Sequence, residues 1–360
     1  MPRRQGSPLA RELCTVYLLL IVYATLHPFT GWRDRGFSPF AWAQAWPKPI
    51  LPFDLWLNTA AYFPLGALVV WAVYPALRLG ITIVVAVVVG ACLCGALESL
   101  QTYMPSRTPS LADAATNTAG TLAGALWGAL VIAVFGRGLL ARAFERWFAD
   151  TPDRARALIL AGLWLFALLF PQSILFGHGS LLAHIGPISG YPFTPAEFSR
   201  VESAVTAASL FAAGSLGLRA LNTDAPRFLL LILFVAVACG LRALSQAILF
   251  PPEHALAWMT SGALRGLAIG GLALAITIAL PRPMRLTLIV MTVTFSTLVV
   301  NFAPPNPYYM ANVQEFNPGR FLNFNGLTQL ISAAWPFLVA LYIPLALASD
   351  TRSAQQRAER

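Results

Sequence analysis

Asp54, Asn58, Glu98, Gln101, Arg107, Asp113 and Asn117 are the residues of this chain whose types and spacing suit chemistry. Asp54 and Asn58 are four apart, Glu98 and Gln101 three apart, and Asp113 and Asn117 four apart. Residues at those intervals share one face of a helix. The pattern therefore places a carboxylate with an amide beside it on each of three helices, with Arg107 in the turn before the third. A guanidinium forks onto phosphate or carboxylate, a carboxylate exchanges protons as a general acid or base, and amides orient polar groups. Each of these residues sits in or beside an apolar run, where an ionisable side chain is costly and marks a functional site by default.

The elements that position them follow from composition. The 360 residues are 57% hydrophobic and only 11% charged, with a mean hydropathy of +0.66. Apolar runs long enough to cross a bilayer as helices recur along the whole chain. The fold class expected is all-α, a polytopic helical membrane protein of about ten spans, at 12–27, 54–75, 79–103, 111–135, 156–176, 198–220, 226–249, 255–280, 285–302 and 325–348. Arg3, Arg4 and Arg11 before the run Leu13–Leu26 outline a signal peptide, but no small-x-small cleavage site follows and His27-Pro28 ends the run, so it reads as an uncleaved first span.

The formal net charge of +9 comes from arginines clustered between the apolar runs. That distribution is the positive-inside pattern and not a basic groove, which argues against nucleic acid as a partner. It places both termini on the cytoplasmic side of a bacterial inner membrane, with Arg33, Arg35, Lys48, Arg107, Arg200 and Arg320 on or near the far side. Cys14, Cys92, Cys94 and Cys239 all lie in apolar segments and suggest neither a disulfide framework nor a thiolate metal site. Zinc, P-loop, dinucleotide and nucleophile-elbow motifs are absent from the sequence, and His178, His184 and His254 read as scattered residues of outer loops.

This topology brings the polar set to one depth. The second span enters from outside with Asp54 and Asn58, the third leaves after Glu98 and Gln101, and the fourth re-enters with Asp113 and Asn117. With a rise of 1.5 Å per residue, Glu98 and Asn117 fall roughly 10 Å below the 104–110 turn, lining a shallow outward-facing pocket. Gly120, Gly124 and Gly128 continue the face of Asn117 as a small-residue stripe, with Pro64 and Gly66 as its expected counterpart. Simpler roles compete for individual residues. Ser110 followed by Asp113 has the form of a helix N-cap, Asn58 and Asn117 suit interhelical hydrogen bonds, and Arg107 suits lipid headgroups or pairing with Glu98 or Asp113.

Residues 1–135 form the expected first domain, 136–156 a basic cytoplasmic linker, 157–280 a second bundle, and 281–360 two further helices with a tail. Sliding the chain by 145 residues aligns Cys94-Gly95 with Cys239-Gly240 and Gln101 with Gln246, which suggests a degenerate four-helix repeat. Chance similarity between two alanine- and leucine-rich halves is the alternative. In that register Glu98, Arg107, Asp113 and Asn117 face Ala243, Pro252, Trp258 and Gly262, so the second half has lost the polar set. Arg242, Gln246 and Arg265 remain as isolated polar residues of the later spans, lining a cavity or pairing with Glu202 or Glu253. The Trp- and Pro-rich segments 28–53 and 303–324 read as interfacial structures, with a lid as the alternative.

The series Asp54-LWL-Asn58, Pro64-L-Gly66, Glu98-SL-Gln101 and Arg107-TP-Ser110-LA-Asp113-AAT-Asn117-TA-Gly120, then Gly124, resembles the signature of the VanZ-like membrane protein family over about residues 15–135. The resemblance implies a helical membrane protein associated with low-level resistance to the glycopeptide teicoplanin, and it does not settle a biochemical activity. On the residues themselves, the expected function is action on an anionic lipid or lipid-linked glycan presented from the outer leaflet. Arg107 would bind its phosphate or carboxylate, Glu98 would be the general acid or base, and Asp113 would orient Glu98 or hold a substrate hydroxyl. Asp54, Asn58, Gln101 and Asn117 would bind and position substrate. Asp54, Glu98 and Asp113 together could hold a divalent cation, although nothing in the spacing requires one, and no cofactor is named by the sequence. A non-enzymatic lipid- or drug-binding protein and a transporter are the rival readings.

Overall fold

The computed structural model describes residues 7–44, 52–136, 138–148, 151–170, 172–181, 194–303 and 322–358. Among these, eleven α-helices carry the fold: α1 (Pro8–Leu26), α2 (Pro52–Val73), α3 (Leu79–Gln101), α4 (Leu111–Phe135), α5 (Leu139–Trp147), α6 (Pro152–Ala167), α7 (Pro195–Ala220), α8 (Arg227–Leu249), α9 (Ser261–Thr277), α10 (Arg282–Phe302) and α11 (Leu322–Ala358). Eight of them are long and apolar enough to cross a membrane, and the chain is an all-α polytopic membrane protein. The spans expected at 156–176 and 255–280 are shorter as helices, Pro152–Ala167 and Ser261–Thr277. Pro171 cannot continue a helix, which accounts for the early end of α6.

The chain divides into two compact units, Met1–Arg146 with Asp150–Pro152, and Trp147–Ala149 with Asp153–Arg360. The first holds α1–α5 and the second α6–α11.

In the first unit α2 and α4 are the most closely joined pair. The glycines are the reason. A Cβ placed on Gly124 would lie 1.8 Å from the Phe63 carbonyl oxygen, and one on Gly66 would lie 1.9 Å from that of Thr121. Backbone therefore meets backbone along the stripe, which is how small residues join helices where no hydrophobic effect drives them together. Trp71 closes the end of the stripe away from Gly120 by donating its indole N–H to the Gly128 carbonyl at 3.1 Å. Pro64 interrupts the α2 ladder, and beside it the Ala61 carbonyl accepts the Tyr17 hydroxyl of α1 at 2.8 Å. The core around Leu65, Val70, Ala86 and Ala125 fills the remaining space.

The second unit is built around α7, 72% of whose spanning window is buried against 17% for α8. The same device recurs there. Gly262, Gly266 and Gly270 of α9 lie against Ser199, Ser203 and Ala207 of α7, as Gly120, Gly124 and Gly128 lie against Thr59, Phe63 and Ala67. The two stripes are offset by 142 residues, not 145. From the end of α6 to residue 181, the described chain folds inward without helix. Side chains take up its backbone: Arg242 donates to the carbonyls of Phe170 at 3.2 Å and Gln172 at 2.8 Å, Ser245 to Leu169, Thr206 to Leu175 and Asn301 to Gly179. Non-helical backbone inside a membrane protein must be satisfied in this way. His178 is thus no outer-loop residue. It is 2% exposed, set between Trp164 and Trp335 and bonded to Gln172 and Ser332.

Candidate functional site

The site is assembled where α2, α3 and α4 meet at the 102–110 turn. Ser110 is the N-cap of α4, and its hydroxyl accepts the Asp113 N–H at 3.2 Å. The cap satisfies one of the N–H groups that a helix start leaves unpaired. The same hydroxyl donates to Asp113 Oδ2 at 2.7 Å, and Asn58 Nδ2 donates to Asp113 Oδ1 at 2.5 Å. Both oxygens of Asp113 are therefore held, one by its own helix and one by α2.

Glu98 is 4% exposed. Its Oε2 accepts the Ser110 backbone N–H at 3.0 Å, while Oε1 has no hydrogen-bond partner among the described residues. A carboxylate at the first turn of α4 also meets the positive end of the helix dipole. The backbone of Ser110 thus serves Glu98 and its side chain serves Asp113, so one residue fixes both acids.

Asn117 lies one turn below Asp113 and is 6% exposed. Its Nδ2 contacts Cys94 Sγ at 3.3 Å, and its Oδ1 is buried with no partner. Tyr62 is the other neighbour of Cys94, so Tyr62, Cys94 and Asn117 lie together one turn from the two acids. Sequence reasoning missed Tyr62 and Cys94 as members of the site. The signal was present, since Tyr62 follows Asn58 by four residues and Cys94 precedes Glu98 by four, the spacing of one helix face.

The remaining predicted residues lie apart from this core. Gln101 donates to the Thr25 carbonyl at 3.1 Å and so ties α3 to the end of α1. Arg107 donates to the His27 carbonyl at 2.6 Å. Burial holds the Arg107 guanidinium below its ordinary pKa, and burial followed by the Arg107 charge does the same for the His27 imidazole. Asp54 is exposed in the first turn of α2 and makes no side-chain hydrogen bond. The cation site of Asp54, Glu98 and Asp113 is not assembled, as no group of three His, Cys, Asp or Glu residues able to hold a metal occurs among the described residues.

A cover lies over one side. Trp42, in a short 3-10 turn at Ala41–Gln44, donates its indole N–H to Ser99 Oγ at 3.0 Å and packs over Gly95. Arg33 donates its backbone N–H to the Tyr103 carbonyl at 3.0 Å. The expected interfacial segment 28–53 thus runs, in its described part, across the end of α3. Its remainder, and nearly all of 303–324, lie outside the described residues.

Of the isolated polar residues of the second unit, Arg242 serves the carbonyls of Phe170 and Gln172, as above. Arg265 is exposed and bonds Ser199 and Ser261. Glu202, 5% exposed, accepts the hydroxyl of Thr260, which is the N-cap of α9. A buried carboxylate at the cap of a glycine-striped helix therefore occurs in each unit, Glu98 with Ser110 and Glu202 with Thr260.

The family model described as VanZ/LLP1 matches residues 13–134 of the chain. Neither a curated protein nor a solved structure matches the chain.

Proposed function

Residues 13–134 are a VanZ-like domain, and we propose that this domain acts on an anionic lipid or lipid-linked glycan entering from the outer leaflet of a bacterial inner membrane. The observation that carries the proposal is Glu98. It is a buried acid with one oxygen fixed by Ser110 and the other without a hydrogen-bond partner among the described residues. A proton acceptor held rigidly through one oxygen, with the second left to take a substrate hydroxyl, is what general acid–base work requires. Asp113 is fully bonded to Ser110 and Asn58, so its part is to hold Ser110, and through it Glu98, in place. Asn117 Oδ1, buried without a donor, is the second acceptor for a substrate hydroxyl. Arg107 supplies the positive charge at the mouth. One guanidinium N–H already rests on the His27 carbonyl, which orients the group before an anion arrives.

Binding without chemistry is the second reading. It draws on the local satisfaction of Asp113, which a helix cap alone explains. Transport has less support. A broken helix in the second unit would offer carbonyls to an ion, but those of Leu169, Phe170 and Gln172 are already occupied by Ser245 and Arg242.

The test is lipid and glycolipid profiling by mass spectrometry in cells lacking the protein, cells with it restored, and cells with Glu98→Gln restored at equal protein level. An enzyme is expected to return a missing species only as the wild type. An unchanged profile in all three, alongside a persisting envelope or teicoplanin phenotype, moves the function to binding.

A further inference from the structure

Away from the VanZ-like domain, the second unit has a small cavity at the end where α7 finishes and α8 and α10 begin. It has a volume of about 30 Å³ and is lined by Ser215, Arg219, Arg227 and Arg285, with leucine and isoleucine side chains between them. Arg219 belongs to the framework. Its guanidinium pairs with Asp153 at 2.9 Å and Asp350 at 3.0 Å, and its Nε donates to the Tyr342 hydroxyl at 2.8 Å. Arg227 is less engaged. Its Nη2 reaches the Asn222 carbonyl at 3.4 Å, and its Nε is buried without a partner. Arg285 adds a third guanidinium to the wall.

Ser215 is the most telling member. It is 1% exposed, and its hydroxyl has no hydrogen-bond partner. A serine inside a helix ordinarily bonds back to the carbonyl four residues earlier, and a buried hydroxyl without a partner carries a desolvation cost. Here it is left open on the cavity. The helix starts point the same way. Arg227 is the first residue of α8 and Arg285 lies in the first turn of α10, and neither helix has a side-chain cap. The helix dipole at such a start favours an anion, but the Arg227 N–H donates to the Ala225 carbonyl and the Arg285 N–H to that of Pro281, so the side chains and not the backbone supply the donors.

We propose that this cavity binds one phosphate group, held by Arg227 and Arg285 and by the Ser215 hydroxyl, with Arg219, its charge offset by Asp153 and Asp350, as part of the wall. The lining offers guanidinium and hydroxyl donors, the donor set that phosphate oxygens take. A space of this size admits about two waters, which is room for the inward-facing oxygens of a phosphate, with the rest of the group and any lipid headgroup lying outside. The apolar residues of the wall suit a phosphate carried on a lipid, and a free phosphate ion shares the same chemistry. The proposal does not rest on the acid–base reading of Glu98.

The full-length protein, delipidated in a neutral detergent, is examined by native mass spectrometry with dioleoylphosphatidylglycerol, with dioleoylphosphatidylcholine, and with inorganic phosphate. Wild type is expected to retain one phosphate-bearing adduct. Arg227→Gln with Arg285→Gln should weaken it by about tenfold or more, as loss of charge-assisted hydrogen bonds does. Ser215→Ala, which removes only an unpartnered hydroxyl and leaves the fold intact, should weaken it severalfold. Arg200→Gln, at the opposite end of α7, should bind as wild type. Retention of phosphatidylglycerol alone assigns the site to an anionic lipid, and retention of inorganic phosphate assigns it to the free ion. Absence of any adduct in wild type, or equal retention by wild type, the double variant and Ser215→Ala, overturns the proposal.

Discussion

The carboxylate of Glu98 accepts the backbone N–H of Ser110 at 3.0 Å, across the turn that separates α3 from α4. Because Ser110 also caps α4 through its side chain, the two acids of the site are coupled through one residue. Ser110→Ala keeps the N–H for Glu98 but removes the cap and releases one oxygen of Asp113. Loss of an N-cap costs about 1 kcal/mol. The expected result is a modestly lowered unfolding temperature in detergent with a larger fractional loss of activity. Equal, small losses in both would reduce Ser110 to a cap.

Asn58 and Asp113 give a second test. The amide N–H of Asn58 joins α2 to Asp113 directly, at 2.5 Å. A hydrogen bond to a charged group contributes roughly 1.5–3 kcal/mol, so Asn58→Ala should destabilise the first unit by that order. Asn58→Asp should be worse than alanine, because it replaces a donor with a like charge. Thermal unfolding of both variants, followed by size exclusion in detergent, orders them.

The α2–α4 contact makes a steric prediction. With Phe63 carbonyl oxygen 1.8 Å from where its Cβ would stand, Gly124→Ala forces the helices apart and should sharply reduce the folded yield. Gly80, in the first turn of α3, meets nothing within 4 Å, and Gly80→Ala should be neutral or stabilising by about 0.5–1 kcal/mol. Similar yields for both variants would contradict the backbone-to-backbone packing.

In the second unit, Arg242→Leu leaves the carbonyls of Phe170 and Gln172 without their donor. Buried carbonyls without partners cost roughly 1–3 kcal/mol each, so the segment from 168 to 181 should open. Limited proteolysis in detergent should cut this segment in Arg242→Leu and spare it in wild type.

The His27 imidazole lies just beyond the end of α1, and its pKa in the folded chain is depressed below 6.5 by burial first and by Arg107 second. As pH falls below about 6.5, the unfolded chain takes up the proton before the folded one. Stability contributed by this group is complete above that pH and declines as pH falls towards the folded value. Arg107→Gln removes one of the two causes and should flatten the decline. Unfolding temperatures of wild type, Arg107→Gln and His27→Gln between about pH 5 and 7.5 separate this group from the carboxylates, with His27→Gln the flattest.

Much of the first unit was legible in its sequence because its signals are local. Ser110 and Asp113 read as a cap and form one. The four-residue interval of Gly120, Gly124 and Gly128 read as a packing stripe and is one. The amide–acid pairs read as helix faces, but spacing cannot say which faces turn inward, so Asp54 was grouped with residues it does not join. It also gave no hint that the partner of Glu98 is a backbone N–H, since main-chain donors have no signature in residue types. The second unit was harder for a physical reason. Periodicity detects helices and has no term for non-helical backbone folded into a bundle, so His178 read as a loop residue when Arg242, Ser245 and Asn301 in fact hold its segment inside.

The central claim is that Glu98 performs chemistry on a membrane lipid. Its most direct test uses the full-length protein reconstituted into vesicles made from envelope lipids of cells that lack it, sampled over time by mass spectrometry. The account predicts that one anionic lipid or lipid-linked glycan is converted by wild type, and that Glu98→Gln, folded to the same unfolding temperature, slows the conversion by about a hundredfold or more, the usual scale of a general acid–base contribution. Conversion at equal rates by wild type and Glu98→Gln would contradict it.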